Sequence, residues 1–280
     1  MTYRLKNQRA LVTGASSGIG MQIARRLTAA GCDVVLTARR TRELESLARE
    51  LRAGGVRASV VTADLADPGR IDSLVEAACR ELGGIDILVN NAGMTEAGLF
   101  WKKPDREWQR VLQLDFLTPI RLMHAFLPGM VERDRGCIVN ISSIAGLLFL
   151  PTVAHYAASK AGLAAASESV RADLTLRKSR VGILVVYPGP IHSQMLDKAK
   201  EDPATNRLFS LLPHGSAEEI GRLTVRAVER EERMLVYPRV FHGFRLLSLG
   251  INRGFSALSR VLASVTDIGS RIDTTEGGTK

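Results

Sequence analysis

Arg9-Ala10-Leu11-Val12-Thr13, running into Gly14-Ala15-Ser16-Ser17-Gly18-Ile19-Gly20, is the stretch on which the fold turns. Residues 9–13 read as a short β-type run, and residues 21–30 read as a helix ended by Gly31. Strand, glycine turn and helix in that order make the first half of a βαβ unit. The glycines let the backbone pass close to a pyrophosphate, and the helix start offers free N–H groups and a positive dipole end. The spacing is Gly-x-x-x-Gly-x-Gly, not Gly-x-Gly-x-x-Gly, so the position between strand and helix adds most of the weight.

Working outward, residues 33–37 (DVVLT) form a second strand that ends at Ala38-Arg39-Arg40. In dinucleotide folds an acid at this strand end binds the ribose 2′-hydroxyl, and a nearby arginine accepts a 2′-phosphate. Here the acid is absent and two arginines follow, which favours NADP(H) over NAD(H). The competing reading is that Arg39 and Arg40 only begin the solvated helix 41–53. Residues 58–63 are a third strand closed by Asp64-Leu65. Asp64 suits either the adenine amino group or a cap for the helix begun near Pro68. Residues 71–82 are that helix, and 86–89 (DILV) a fourth strand running into Asn90-Asn91-Ala92-Gly93. Such a strand end brings backbone near a cofactor while asparagine side chains tie neighbouring strands; a plain turn is the alternative.

Residues 105–130 read as one long helix. Residues 136–142 are an almost wholly apolar fifth strand, as expected for a strand covered on both faces. Residues 182–187 (GILVVY) are a sixth, ending in Pro188-Gly189-Pro190-Ile191-His192-Ser193. A helix over 217–229 and a strand over 233–237 complete the pattern. Strands alternate with helices throughout, which predicts a Rossmann-like, doubly wound parallel β-sheet with helices on both faces. Every candidate site group follows a strand's C-terminal end, where ligands bind in such sheets.

Thirteen residues beyond Ser143 stands Tyr156, with Lys160 four residues further on. That spacing puts the phenol and the ammonium on one helix face. A nearby ammonium lowers a tyrosine pKa, and a tyrosine tuned that way exchanges protons with an alcohol or carbonyl. Taken alone, such a pair is better explained by a solvated helix face, because it often arises by chance.

Composition bounds the function. A chain of 280 residues with 45% hydrophobic and 24% charged residues suits one large α/β domain or one with an appendage. Three scattered cysteines and few, isolated histidines argue for a reduced, cytoplasmic setting and against a metal site. The polar N-terminus does not read as a signal peptide, and no run of about twenty apolar residues suggests a spanning helix. The net charge of +9 comes from arginines spread along the chain, with sparse aromatics. That fits an anionic ligand or membrane surface better than nucleic acid, which is not expected as a partner.

Together these residues resemble the short-chain dehydrogenase/reductase family: Thr13 to Gly20, Asn90 to Gly93, Ser143, Tyr156-x-x-x-Lys160 and Pro188-Gly189, over roughly residues 5–240. The resemblance implies an NAD(P)-dependent oxidoreductase acting on a small-molecule carbonyl or alcohol, as a homodimer or homotetramer. Tyr156 would be the general acid/base. Lys160 would lower its pKa and hold the nicotinamide ribose, and Ser143 would stabilise charge on the substrate oxygen. Gly14, Ser16, Ser17, Gly18, Ile19 and Gly20 would line the pyrophosphate and ribose. Ser16 and Arg39, with Arg40, would take the 2′-phosphate. Asp64 and Leu65 would flank adenine, and Asn91, Ala92 and Gly93 would lie against the cofactor. Pro188, Gly189, Ile191 and Ser193 would abut the nicotinamide.

One position departs from the family. Asp115 stands where many members carry the asparagine of a four-residue catalytic set. In the family that residue supports a water, largely through its backbone carbonyl, in a proton relay behind the lysine. A backbone role survives the change, so activity is expected to persist. The added carboxylate would hold Lys160 charged.

On the substrate side, Met94-Thr95-Glu96, Phe149-Leu150, His155 and residues 192–213 are expected to line the pocket. The apolar runs 147–151 and 208–212 favour a lipophilic substrate, although a mobile loop closing over a site carries such residues too. His155 reads as structural and Glu96 as a solvated loop acid. The first domain is taken as 1–238. Residues 239–280 carry six basic and three acidic side chains and near-helical apolar spacing. They read as a C-terminal amphipathic helical extension with a disordered end. It would pack on the main domain or a second subunit, or else make peripheral membrane contact. Two other functions compete: a catalytically impaired NADP(H)-binding regulator or scaffold, hinted at by Asp115 alone, and an isomerase or dehydratase, which needs acid/base groups not found.

Overall fold

Alternate residues of the central strands face opposite sides, and both sides are buried. Ala10 and Val12 point into one core with Val34, Leu36, Ile87 and Val89. Leu11, between them, points into the other with Val35 and Leu88. Strands apolar at every position therefore need a layer of helices on each face. The computed structural model, which describes residues 3–148, 150–192, 194–210 and 212–241, has that architecture.

Seven strands form one sheet: β1 (Arg9–Thr13), β2 (Asp33–Ala38), β3 (Ala58–Thr62), β4 (Ile87–Asn90), β5 (Cys137–Ile141), β6 (Gly182–Pro188) and β7 (Met234–Tyr237). All pair in parallel, in the order β3-β2-β1-β4-β5-β6-β7. The order reverses between β1 and β4, so a crevice opens beyond their C-terminal ends.

One face is covered by α1 (Gly18–Ala29), α2 (Thr41–Arg52) and, from the far end of the chain, a helix at Ala217–Glu229. α2 buries Leu44, Leu47, Ala48 and Leu51, the i, i+3, i+4, i+7 stripe of an amphipathic helix. The other face is covered by α3 (Ile71–Leu82), α5 (Thr118–Glu132) and α6 (Ala154–Leu176), with α4 (Asp105–Leu112) packed beside α6. Two short helices, α7 (Gln194–Ala199) and α8 (Pro203–Ser210), precede the helix at 217–229, which is α9.

The strands fall where the sequence puts them, within a residue or two. The long helix expected over 105–130 does not: residues Gln113–Leu117 make a π-helical turn between α4 and α5. Pro119 explains the break, because it has no N–H to offer the carbonyl of Asp115 four residues back. The cap of the turn at Pro68–Arg70 is Asp67, whose carboxylate accepts from Gly69 N at 2.9 Å, and not Asp64. Among the described residues no helix is long and apolar enough to cross a membrane. The expected extension beyond Phe241, with its helices and its membrane or subunit contacts, lies outside the described residues, as do Phe149 and Ser193.

Candidate active site

The crevice at the switch point is a cleft of about 490 Å³. Its floor is the β1–α1 turn, which is folded onto the end of β4. The Thr13 hydroxyl donates to Val89 O at 3.1 Å and accepts from the N–H groups of Asn91 and Ala92, each at 2.9 Å. The Asn91 amide returns the contact, donating to Thr13 O at 2.9 Å and Gly14 O at 3.2 Å. This packing leaves no room for side chains. A Cβ on Gly20 would lie 2.6 Å from Gly14 O and 2.4 Å from Asn91 Nδ2, and Gly14 itself has φ +66°. Thr13 is a further contributor, and its signal in the sequence is a hydroxyl ending a buried strand. The Asn91 side chain is spent on the turn, so what it offers a ligand is its place in the cleft wall.

The turn suits an anionic ligand. α1 begins with no side-chain cap on its N–H groups and no acid in its first turn, which leaves N–H donors and the dipole's positive end facing the cleft. Arg39 and Arg40 both reach the cleft wall. Arg40 donates to Ser16 Oγ at 3.1 and 3.2 Å and to Ser17 Oγ at 2.5 Å, so Arg40 rather than Arg39 is bonded to the glycine turn. Asp64 and Leu65 lie in the same wall. The Asp64 carboxylate is engaged by Arg110 at 2.8 Å and by Ala66 N at 3.1 Å. Uncapped N–H groups, serine hydroxyls and a guanidinium together fit a dinucleotide phosphate.

Across the cleft, β5 and α6 present the chemical group. Ser143 follows β5 and is buried, its Oγ accepting from Ala145 N at 3.1 Å. The neighbouring Ser142 donates to Lys160 O at 2.9 Å and so pins α6 against β5; sequence reading missed this tie. α6 begins at Ala154, earlier than the alanine-rich run at 161–176, so Tyr156 and Lys160 stand in its first two turns. Lys160 Nζ donates to Ile141 O at 3.0 Å and lies 5.6 Å from the Tyr156 ring centroid.

Asp115 is fully buried behind this group. Its Oδ1 accepts from Met94 N at 2.8 Å, and its Oδ2 lies 3.3 Å from Lys160 Nζ in an ion pair without a well-directed hydrogen bond. Gly93 makes the approach feasible, since a Cβ there would meet both Asp115 Oδ2 at 3.2 Å and Lys160 Nζ at 3.3 Å. Burial raises the Asp115 carboxyl above its usual range, against the pull of Lys160 and the Met94 N–H. The Tyr156 phenol is also raised, which corrects the expectation of a net lowering. Burial is the largest cause, Lys160 pulls the value down, Asp115 pushes it up and Ser143 lowers it.

The far end of the cleft is apolar, walled by Ile144, Met195, Leu196, Ala199 and Phe209. Pro188, Gly189 and Ile191 line the passage towards it. α7 and α8 were not foreseen as helices within 192–213. Thr205 of α8 shares a hydrogen bond of 2.6 Å with Thr152, which holds α8 over the start of α6. His155 packs its ring against Phe100 at 5.0 Å and Trp108 at 6.0 Å, and neither it nor Leu150 is among the residues that wall the cleft, contrary to the expectation that both line the pocket. Glu96 is half-buried in the cleft wall and not the solvated loop acid expected.

A 3-2-1-4-5-6-7 parallel sheet, with a glycine turn and a Ser/Tyr/Lys group facing each other over the switch point, defines the class of nicotinamide-dinucleotide oxidoreductases. The chain belongs to the short chain dehydrogenase family, whose profile matches residues 8–204. It is 34% identical over 233 residues to the fatty acyl-CoA reductase of Acinetobacter baylyi, covering 82% of this chain and 76% of that protein. Its fold is similar to that of a short chain dehydrogenase/reductase from Burkholderia phymatum in complex with NAD. There the TM-score is 0.79 at 23% identity, over 90% of this chain and 96% of the other. It is also similar to a blue fluorescent protein from a metagenomic library in complex with NADPH. That TM-score is 0.74 at 30% identity, over 84% of this chain and 97% of the other.

Proposed function

We propose that the protein is an NADP(H)-dependent oxidoreductase that interconverts a carbonyl and a secondary alcohol on a lipophilic substrate. The observation behind this reading is that Ser143, Tyr156 and Lys160 converge on the same cleft as the β1–α1 glycine turn. When bound, the nicotinamide supplies or accepts the hydride. Ser143 holds the substrate oxygen and stabilises the charge that develops there. Tyr156 gives that oxygen a proton in reduction and removes it in oxidation. Lys160, with its Nζ 5.6 Å from the phenol ring centroid, offers its ammonium to the cofactor ribose.

Three features favour NADP(H). Ala38 leaves no acid at the end of β2 to repel a 2′-phosphate. Arg40, bonded to Ser16 and Ser17 beside the glycine turn, would offer its guanidinium to that phosphate. A relative in structure at 30% identity is described in complex with NADPH. The apolar far wall and the fatty acyl-CoA reductase likeness favour a carbonyl on an apolar chain or ring. Assembly as a homodimer or homotetramer and a cytoplasmic place belong to the same reading.

A panel of aliphatic, aromatic and polyol carbonyls, screened with NADPH and NADH, tests it. Turnover of lipophilic carbonyls with NADPH, above that of polyols and above NADH, is expected. Preference for polyols or for NADH refutes the corresponding part. A cofactor-binding scaffold without turnover is the second reading, and Asp115 is the one observation in its favour.

A further inference from the structure

Asp115 is a wholly buried carboxylate, carried on a π-helical turn and aimed at the lysine of the candidate active site. Few buried carboxylates are retained without a partner, and this one has two. Its Oδ1 takes the Met94 N–H at 2.8 Å and its Oδ2 faces Lys160 Nζ at 3.3 Å. The third ionisable group of the cluster is Tyr156, whose ring centroid lies 5.6 Å from the same Nζ. Among the described residues, Lys160 is the charged side chain that acts on Asp115, and Lys160 and Asp115 are those that act on Tyr156.

The electrostatic consequence follows from counting charge. A lone ammonium about 6 Å from a phenol attracts the phenolate by a few kcal/mol at an intermediate dielectric constant. A carboxylate beside that ammonium turns the single charge into a dipole, whose field falls off faster. Whichever member of the Asp115/Lys160 pair carries the proton, the pair is net neutral. We infer that Asp115 is a positioning residue that cancels the field of Lys160 at Tyr156 and keeps the phenol protonated, so that the site donates protons to a carbonyl up to higher pH than one with an uncompensated lysine. This rests on the reading of Tyr156 as the proton donor. It adds that the chain's own carboxylate sets the pH range over which reduction works.

The variant Asp115→Asn isolates the charge, since an amide oxygen still accepts the Met94 N–H. The direct readout is the titration of Tyr156 in the cofactor-free protein, followed by tyrosinate absorbance and assigned by subtraction of Tyr156→Phe. The midpoint is expected to fall by about one to two pH units in Asp115→Asn. In the Lys160→Met background the same substitution is expected to move it by less than about half a unit, because a buried carboxyl that has lost its ammonium takes up a proton and leaves no charge to remove. In the reductase assay the alkaline limb of the pH profile is expected to fall by the same amount. An unmoved or raised midpoint overturns the inference. So does an equal fall with and without Lys160, which would show a carboxylate that stays charged and acts on the phenol by itself rather than through a neutral pair. Should Asp115→Asn fail to fold, Lys160→Met alone decides. A midpoint shift under about half a unit supports a neutral pair, and a rise of about two units shows a lone ammonium and overturns it. Because this titration needs no turnover, its outcome is separable from that of the proposed reaction: unchanged turnover in Tyr156→Phe defeats the reading of the reaction while leaving the charge coupling measurable.

Discussion

At the scale of single residues, the site is a balance of short contacts between groups far apart in the chain. The four-residue spacing of Tyr156 and Lys160 is visible in the sequence, because helix geometry alone places them together. The direction of the phenol's shift is not, because it depends on burial against the apolar cluster of Ile144, Leu148 and Tyr187 and on a carboxylate 41 positions before the tyrosine. Similarly, the double arginine after β2 is legible as a phosphate signal, but which of the two is bonded to the turn is not. Arg40, on Ser16 and Ser17, makes a discriminating prediction. Removing a charge-assisted contact to phosphate costs about 1.5–3 kcal/mol. Arg40→Ala is therefore expected to weaken NADPH binding by about ten- to a hundredfold while changing NADH binding by less than about threefold. Fluorescence titration of both cofactors measures this. Equal losses for both would return Arg40 to the role of a helix-starting residue.

Elements explain why the site forms at all. β1, the glycine turn and α1 were readable in order, and so was each later strand, since a strand buried on both faces is a short apolar run between turns. What the pattern hid was the interruption of the helix over 105–130. Its apolar periodicity continues through the π turn, and only Pro119, seen against Asp115 four residues earlier, marks the break. α7 and α8 escaped for a different reason: six and eight residues are too few for periodicity to show. The fit between the β1–α1 turn and the Asn91 amide gives the prediction at this scale. A methyl group on Gly20 would press on backbone, Gly14 O at 2.6 Å, which cannot move as a side-chain tip can. Gly20→Ala is expected to cost about 1–3 kcal/mol of stability and to abolish measurable NADPH binding. Denaturant unfolding and cofactor titration on one preparation check both parts. A variant with native stability and native affinity would contradict the packing described.

For the whole molecule, the sheet's two ends do different work. The C-terminal ends of the strands hold the cleft, while the opposite edge is held by ion pairs. Asp86, ahead of β4, receives Arg9 Nη2 at 2.7 Å and Nε at 2.8 Å, with Arg133 at 3.6 Å. Burial alone would raise its carboxyl, but the Arg9 hydrogen bonds and charge hold it below the ordinary value of 3.8. A carboxyl lowered in the folded state stabilises the fold above its unfolded value, and that stability drains away as pH falls through the folded value. The melting temperature is thus expected to be level above about pH 5 and to fall below about pH 4, and Asp86→Asn should flatten part of that decline. Thermal unfolding across pH 3–7 in both proteins measures it, and identical acid limbs would exclude Asp86 as a contributor.

The account as a whole stands on the phenol that faces the glycine turn across the cleft. Its most direct test is the rate of carbonyl reduction with NADPH by Tyr156→Phe against the unaltered protein, with NADPH affinity measured alongside. The predicted result is a loss of turnover of about a hundred- to ten-thousandfold, the usual contribution of a general acid, with cofactor affinity kept within about threefold. Turnover at the unaltered rate with NADPH bound normally would contradict it.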